Sequence, residues 1–292
     1  MSTIDVTKRT SAGPRREIGK GSRRLWLLRS PEGVLGAVLL GLVLLIALAG
    51  PLVAPHPITE TIGLPGAPPS AAAPLGTDFL GRDVLSRLLH GGLPVVWLSV
   101  ATISLTYLIG VSVGMIAGLS RSFVDPILMR SVDLVLVFPP LLLLLLLLYG
   151  AGDGTGVLII GIVLVLFPGV ARLVRTATLE VSTTGYIEAA IARGETRLAI
   201  MRREVLPNIA TSVLADFGVR FSAAVILAAS ISFLGFGSQP PAANWGLMIS
   251  ENRPILPTNP WGVLAPAILL ALMTIGVNLL ADGYVKTRTR QR

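Results

Sequence analysis

Apolar residues run through this 292-residue chain in long blocks, without the alternation of a half-buried strand or the one-sided stripe of a surface helix. Six blocks carry little or no charge: about Gly33–Ala54, Leu93–Leu119, Ser131–Tyr149, Gly156–Val174, Ile209–Leu234 and Trp261–Asp282. Each is long enough to cross about 30 Å of hydrocarbon as a helix. The pattern predicts an all-α, polytopic membrane protein with six transmembrane helices. The first block is read as a retained helix. Its apolar run exceeds the roughly 7–15 residues of a signal peptide's apolar core, and its polar lead is long.

Composition narrows the class. Hydrophobic types make up 52% of the chain and charged types 14%, with a mean hydropathy of +0.76. Soluble domains carry about 25% charge, so this chain has too little charge to cover a water-facing surface. The same figures exclude disorder, which is charge-rich and apolar-poor. There is no cysteine, which removes disulfides and thiolate metal sites, and His56 and His90 are the only histidines.

The net charge of +8 raises nucleic acid as a partner, but its placement follows the positive-inside rule. Lys8, Arg9, Arg15, Arg16, Lys20, Arg23, Arg24 and Arg29 precede the first block, and Lys286, Arg288, Arg290 and Arg292 follow the last. Six crossings put Arg121, Arg130, Arg172, Arg175, Arg193, Arg197, Arg202 and Arg203 on that same side. Only Arg82, Arg87 and Arg253 fall outside, with Arg220 inside a span. The charge therefore sets both termini in the cytoplasm, and no basic soluble module is left for nucleic acid.

The chain divides into a basic cytoplasmic arm (1–30), a first transmembrane helix (31–54), an extracytoplasmic loop (55–92), a five-helix core (93–283) and a cytoplasmic tail (284–292). The loop ends in the amphipathic DVLSRLLHG, expected as a short helix at the interface. A second outer segment, about Gly235–Pro260, carries Trp245, which with Trp261 suits an interfacial aromatic position.

Catalytic motifs are missing. No G-x-x-x-x-G-K-[ST] is present to hold ATP, and GKGS at Gly19–Ser22 lacks the leading glycine. No G-x-S-x-G or H-E-x-x-H occurs either. Ionisable residues in spans are costly and so informative. Asp133 stands at the inner end of the third block, Asp216 and Arg220 near the start of the fifth, and Asn278 in the sixth. Asp216 and Arg220 are four apart and can pair on one helix face, either as a neutralised pair or as polar lining of a pathway with Asn278. Gly110, Gly114 and Gly118 form a face for close helix packing, within the chain or against a partner.

The most informative segment joins the fourth and fifth blocks: TTGYIEAAIARGETRLAIMRREVLPNIATSVL. About Tyr186–Arg193 reads as a short helix with Gly185 at its cap, Gly194 as a turn, and Thr196 as the cap of a second short helix ending at Pro207. A helix–glycine–helix hairpin between two spans offers a rigid knob to a cytoplasmic partner, or lies on the membrane as an elbow.

These residues resemble a family. Glu188-Ala189-Ala190, Gly194 and Leu206-Pro207 look like the EAA loop of inner-membrane permeases of binding-protein-dependent ABC importers. PLGTDFLGRDVLSRLLHG (Pro74–Gly91), LMRSVDLVLVFPP (Leu128–Pro140), SFLGFG (Ser232–Gly237) and NWG (Asn244–Gly246) resemble the C-type subunit of its dipeptide/oligopeptide/nickel group. The resemblance covers residues 25–285. It implies a type I ABC-importer permease fold and a heterodimeric pore with a sister permease in the bacterial cytoplasmic membrane. It also implies two ATPase subunits carrying ATP and magnesium, and an extracytoplasmic peptide-binding protein. No cofactor or metal is expected on this chain. The loop at about 180–208 becomes the coupling helix, with Glu188, Ala189, Ala190, Gly194, Arg197, Leu206 and Pro207 at the ATPase contact. The implied cargo is a small peptide; nickel, glutathione or another small ligand is the alternative, and a stand-alone secondary transporter or channel is the rival. Three positions depart from the family's pattern: Gly185 replaces an Asp, LSRSFVD replaces a Gly-Gly-Trp turn, and Ala228 stands where a Glu is common.

Overall fold

The computed structural model describes residues 30–289, apart from Arg121 and Asp153. The basic arm before Ser30 and the last three residues lie outside the described residues. The described chain is helical: α1 (Pro31–Val53), α2 (Val84–Leu119), α3 (Val124–Leu136), α4 (Pro140–Ala151), α5 (Thr155–Ser182), α6 (Gly185–Ala192), α7 (Arg197–Ile200), α8 (Leu206–Phe233), α9 (Trp245–Asn252) and α10 (Trp261–Thr289). Among the described residues five helices are long and apolar enough to span a bilayer, and the count is six if the bent pair α3–α4 is taken as one span.

Local chemistry sets the helix starts. Ser30 caps α1 by accepting the Gly33 N–H at 3.1 Å, with Pro31 in the first turn. Asp83 accepts the Leu85 and Ser86 N–H groups at the start of α2, and Asn244 accepts those of Gly246 and Leu247 at α9.

Glycines set the close approaches. In α2, a Cβ at Gly110, Gly114 or Gly118 would fall 2.7, 2.6 or 2.7 Å from atoms of Val170, Ala171 or Thr178 in α5. The numbers rise together, so α2 and α5 run parallel. Gly36 lies against Gly276 and Leu280, and Gly283 against Ser30, so α1 and α10 run antiparallel. Without a hydrophobic drive inside a bilayer, small residues that bring backbones together are what associate helices. One end of the bundle thus gathers the start of α1, the ends of α2, α5 and α10, and α6. The opposite end gathers segment 54–83, the starts of α2 and α10, and α9.

Four expectations change. The third block is not one helix: α3 and α4 meet at 87° across Val137–Pro139. Consecutive prolines cause this, since each lacks a donor and disfavours the helical region for the residue before it. DVLSRLLHG is not a separate interfacial piece but the N-cap and first turns of α2, which continues through Gly91, Gly92 and Pro94. Those glycines make room for an indole: a Cβ at Gly92 would fall 2.6 Å from Trp245 Cζ2. Trp245 accordingly is not interfacial. It is fully buried and donates Nε1–H to the Leu88 carbonyl at 2.8 Å. Finally, the helix after Gly194 does not stop at Pro207. A wide π-turn, Met201–Val205, carries it into α8, with the Leu206 N–H reaching back to Met201 O. The wider turn absorbs the donor that Pro207 lacks.

Candidate functional site

The α6 segment projects from the end of the bundle where α5 stops and α8 begins. Its N-cap is Thr184 rather than Gly185, which is the first helical residue. Thr184 Oγ1 donates back to the Val181 carbonyl, so the cap gives no side-chain bond to α6. The other terminus is well closed. Glu195 N–H bonds the Ala190 carbonyl at 3.2 Å and Gly194 N–H bonds that of Ile191 at 2.9 Å. With Gly194 at φ +74°, these two bonds make a Schellman motif, which satisfies carbonyls a helix end leaves open. Nothing lies within 4 Å of a Cβ at Gly194, so the glycine is required by the backbone angle alone. Thr196 then caps α7 by accepting the Ala199 N–H at 3.3 Å.

The hairpin is anchored on one side and open on the other. Ile187 and Ala190 are fully buried with Val170, Val174, Ile200, Val205 and Ile209. Tyr186, Glu188, Ala189, Ile191, Arg193, Gly194 and Arg197 are exposed, as are Leu206 and Pro207 at the start of α8. The two alanines of the motif therefore divide the work: Ala190 seats the hairpin and Ala189 faces outward. Arg193 and Glu195 pair across the turn at 2.6 Å. A short helix held by α5 and α8, with a mixed charged and apolar outer face, can pass a rigid-body displacement to two spans at once.

The intramembrane residues are partly joined. Asp216 and Arg220 pair at 3.1 Å, and Tyr107 of α2 donates its hydroxyl proton to Asp216 at 3.0 Å. Asn278 is not part of that pair; it donates to Ser222 Oγ and to the Thr274 carbonyl, tying α10 to α8. Ala228 sits in an apolar cluster with Leu144, Leu158 and Ile162 rather than on an open face. In the variant turn LSRSFVD, Asp125 receives both guanidinium arms of Arg175.

One cluster escaped the sequence reading. At the α9 end, Arg82 bonds Asp78 at 2.6 Å and Arg87 bonds Glu251 at 2.6 Å, with Arg87 Nη1 3.3 Å from Asp78. All four side chains are at most 6% exposed. Burial pushes the Glu251 carboxyl above the usual carboxylate range, against the lowering pull of Arg87 and Arg82. The signal available in sequence was Arg82 and Arg87 on the wrong side of the positive-inside count, a place where cations need partners.

These features define a multi-span helical membrane subunit with one exposed hairpin between spans. The model of the family described as "Binding-protein-dependent transport system inner membrane component" matches residues 110–290. The chain is 35% identical over 215 residues to a glutathione transport system permease protein of Pectobacterium atrosepticum, covering 74% of this chain and 71% of that one. It is 34% identical over 260 residues to a di/tripeptide transport system permease protein of Pseudomonas aeruginosa, with 86% of each covered. With a dipeptide transport system permease protein of Bacillus subtilis it shares 31% over 259 residues, 88% of this chain and 81% of the relative. The chain belongs to this family of binding-protein-dependent inner-membrane components. Its fold is also that of a chain in the inward-facing MetNI methionine ABC transporter, with a TM-score of 0.57 at 19% identity, over 68% of this chain and 95% of that one.

Proposed function

We propose that this chain is the permease half of an ATP-driven importer that carries short peptides across the bacterial cytoplasmic membrane, with its α6 end in the cytoplasm. The observation that carries the reading is α6 itself, seated by Ile187 and Ala190 and open at Glu188, Ala189 and Arg193. A protein working alone has no use for such a knob, whereas a cytoplasmic ATPase needs one to grip. Orientation is supported by charge: Arg130, Arg172, Arg175, Arg193, Arg197, Arg202, Arg203 and Lys286 all belong to the α6 end. In this reading the pore is completed by a sister permease, two ATPase subunits bind ATP and magnesium, and an extracytoplasmic protein delivers the peptide. Asp216 and Arg220 line the route, and Asn278 braces α10 beside it. The relatives named for dipeptides, di/tripeptides and glutathione favour small peptidic cargo.

The test is co-purification followed by reconstitution. The chain is expected to carry an ATPase and a second permease with it, and proteoliposomes are expected to take up dipeptide only with ATP and binding protein. Transport by the chain alone would defeat the reading.

A further inference from the structure

A flank of α5 carries charge that the hairpin does not use. Gly169, Arg172 and Thr176 stand at i, i+3 and i+7 and so share one face. The Arg220 guanidinium lies over Gly169, where a Cβ would fall 2.5 Å from Nη1 and Nη2. Arg172 pairs with Asp133 of α3, and Arg175 on the adjoining face takes Asp125 in a two-armed bond. Three Asp–Arg pairs thus follow one another along α5 at steps of about 4.5 Å. Between α3 and α5 the lower two, with Met129 and Thr176, line a cavity of about 520 Å³, within the roughly 300–1,000 Å³ of small-ligand pockets.

Exposure decides what this flank faces. The Arg172 and Asp133 side chains are 53% and 41% exposed, although both sit on spans. Acyl chains are poor surroundings for such groups; charged side chains in membrane segments pair with one another, face the bundle interior or a water-filled cavity, and mark substrate pathways. Helix α3 is loosely held, with Val132 its one buried residue, so the pairs have room to open.

We propose that this flank is the inner section of the cargo's route, and that its Asp–Arg pairs recognise a zwitterionic short peptide. Each pair opens to take the peptide's ammonium on the carboxylate and its carboxylate on the guanidinium. The chemistry balances at every step: a neutral pair and a neutral zwitterion exchange partners, and no charge is left bare in the membrane. Successive pairs repeat the exchange toward the α6 end. This inference rests on the peptide-importer reading above and adds the chemical class the route itself selects.

The chain has no cysteine, so Thr176→Cys gives it a single thiol in the cavity. The assembled importer, in inside-out vesicles, is treated with a membrane-impermeant cationic thiosulfonate, and labelling of this chain is followed by mass. Millimolar Ala-Ala is expected to slow labelling by about fivefold or more where it fills most sites. N-acetyl-Ala-Ala-amide, of similar size but without charged ends, is expected to leave it unchanged. Adding Asp133→Asn with Arg172→Gln, a neutral pair that can still hydrogen-bond, is expected to abolish the difference. An unreactive thiol, equal protection by both peptides, protection by neither, or a difference that survives neutralisation of the pair overturns the inference. Wild-type ATP-driven uptake of Ala-Ala, measured separately in proteoliposomes, isolates the two ideas. Uptake without charge-dependent protection sinks only the route, and absence of uptake sinks the importer reading with it.

Discussion

Glu251 of α9 and Arg87 of α2, far apart in sequence, meet at 2.6 Å with 6% and 0% of their side chains exposed. Arg87 Nε and Glu251 Oε1 have no hydrogen-bond partner among the described residues, so the pair is incompletely compensated although Asp78 lies 3.3 Å from Arg87 Nη1 and Arg82 3.5 Å from Glu251. Truncating a single partner leaves a buried charge, and Arg87→Met or Glu251→Leu is expected to destabilise by about 3–5 kcal/mol. The double variant is expected to cost much less than the sum, because Asp78 and Arg82 still hold each other. Thermal unfolding of the purified complex reads this cycle. The wild type carries a further signature. The folded-state pKa of Glu251 is raised, so the folded protein holds that proton more tightly than the unfolded chain. Its contribution is complete below the ordinary carboxylate range and falls as pH rises through the raised value. Glu251→Gln is expected to remove that slope.

Gly194 gives a graded series. Its positive φ with open space around it means that a substitution is penalised through the backbone only. Gly194→Asn is expected to be nearly neutral, since Asn tolerates this region, and Gly194→Ala to cost about 1–2 kcal/mol. Gly194→Pro cannot adopt the angle and removes the donor to Ile191, so it is expected to spoil the hairpin. The readout is the ratio of peptide taken up to ATP hydrolysed, which should fall in the order Asn, Ala, Pro, while the chain still reaches the membrane. Glu188→Arg, which reverses an exposed charge and touches no buried residue, is expected to lower the same ratio. Normal coupling in Gly194→Pro and Glu188→Arg together would remove the hairpin from the mechanism.

What the sequence made legible was set by composition and by local signals. Five spans follow from unbroken apolar runs, and Gly194 and Thr196 announce their turn and cap because each acts on its own neighbours. The sequence misleads where a residue's role depends on a distant element or where a break is masked by its apolar surroundings. Gly91 and Gly92 look like a break until Trp245, from the far end of the chain, is found against them. The two prolines after Phe138 stand inside what the sequence presents as one continuous span, because the leucine run on their C-terminal side is so apolar. The Asp78–Arg82–Arg87–Glu251 cluster is invisible locally, since Glu251 joins from a different outer segment. At the site, the anchored and open sides of α6 could not be told apart before the bed formed by α5 and α8 was known.

The α2–α5 seam predicts a contrast between glycines. A Cβ at Gly114 would meet the Ala171 carbonyl oxygen at 2.6 Å, a backbone atom that cannot swing aside, whereas one at Gly41 in α1 meets nothing within 4 Å. Gly114→Ala is expected to push the two parallel helices apart at a cost of about 1–3 kcal/mol. Gly41→Ala is expected to be neutral or slightly stabilising through helix propensity. Expression level in the membrane and melting temperature in detergent distinguish them, and equal behaviour would mean that the seam is not closed.

Ala189 and Ala190 are adjacent and chemically identical, yet the fold predicts opposite failures. Ala190 is fully buried against α5 and the start of α8, so Ala190→Leu adds three carbons where there is no space. Overpacking of this kind costs about 1–3 kcal/mol, and here it tips α6 off its bed, reducing stability and coupling together. Ala189 is exposed, so Ala189→Leu leaves the fold intact and alters only the surface an ATPase would meet. Melting temperature should therefore fall for Ala190→Leu and hold for Ala189→Leu, while co-purification with the ATPase weakens in both. The decisive measurement is the pairing of those two readouts. A loss of stability in Ala189→Leu, or intact ATPase binding in it, would show that the outward face of α6 is not the docking surface.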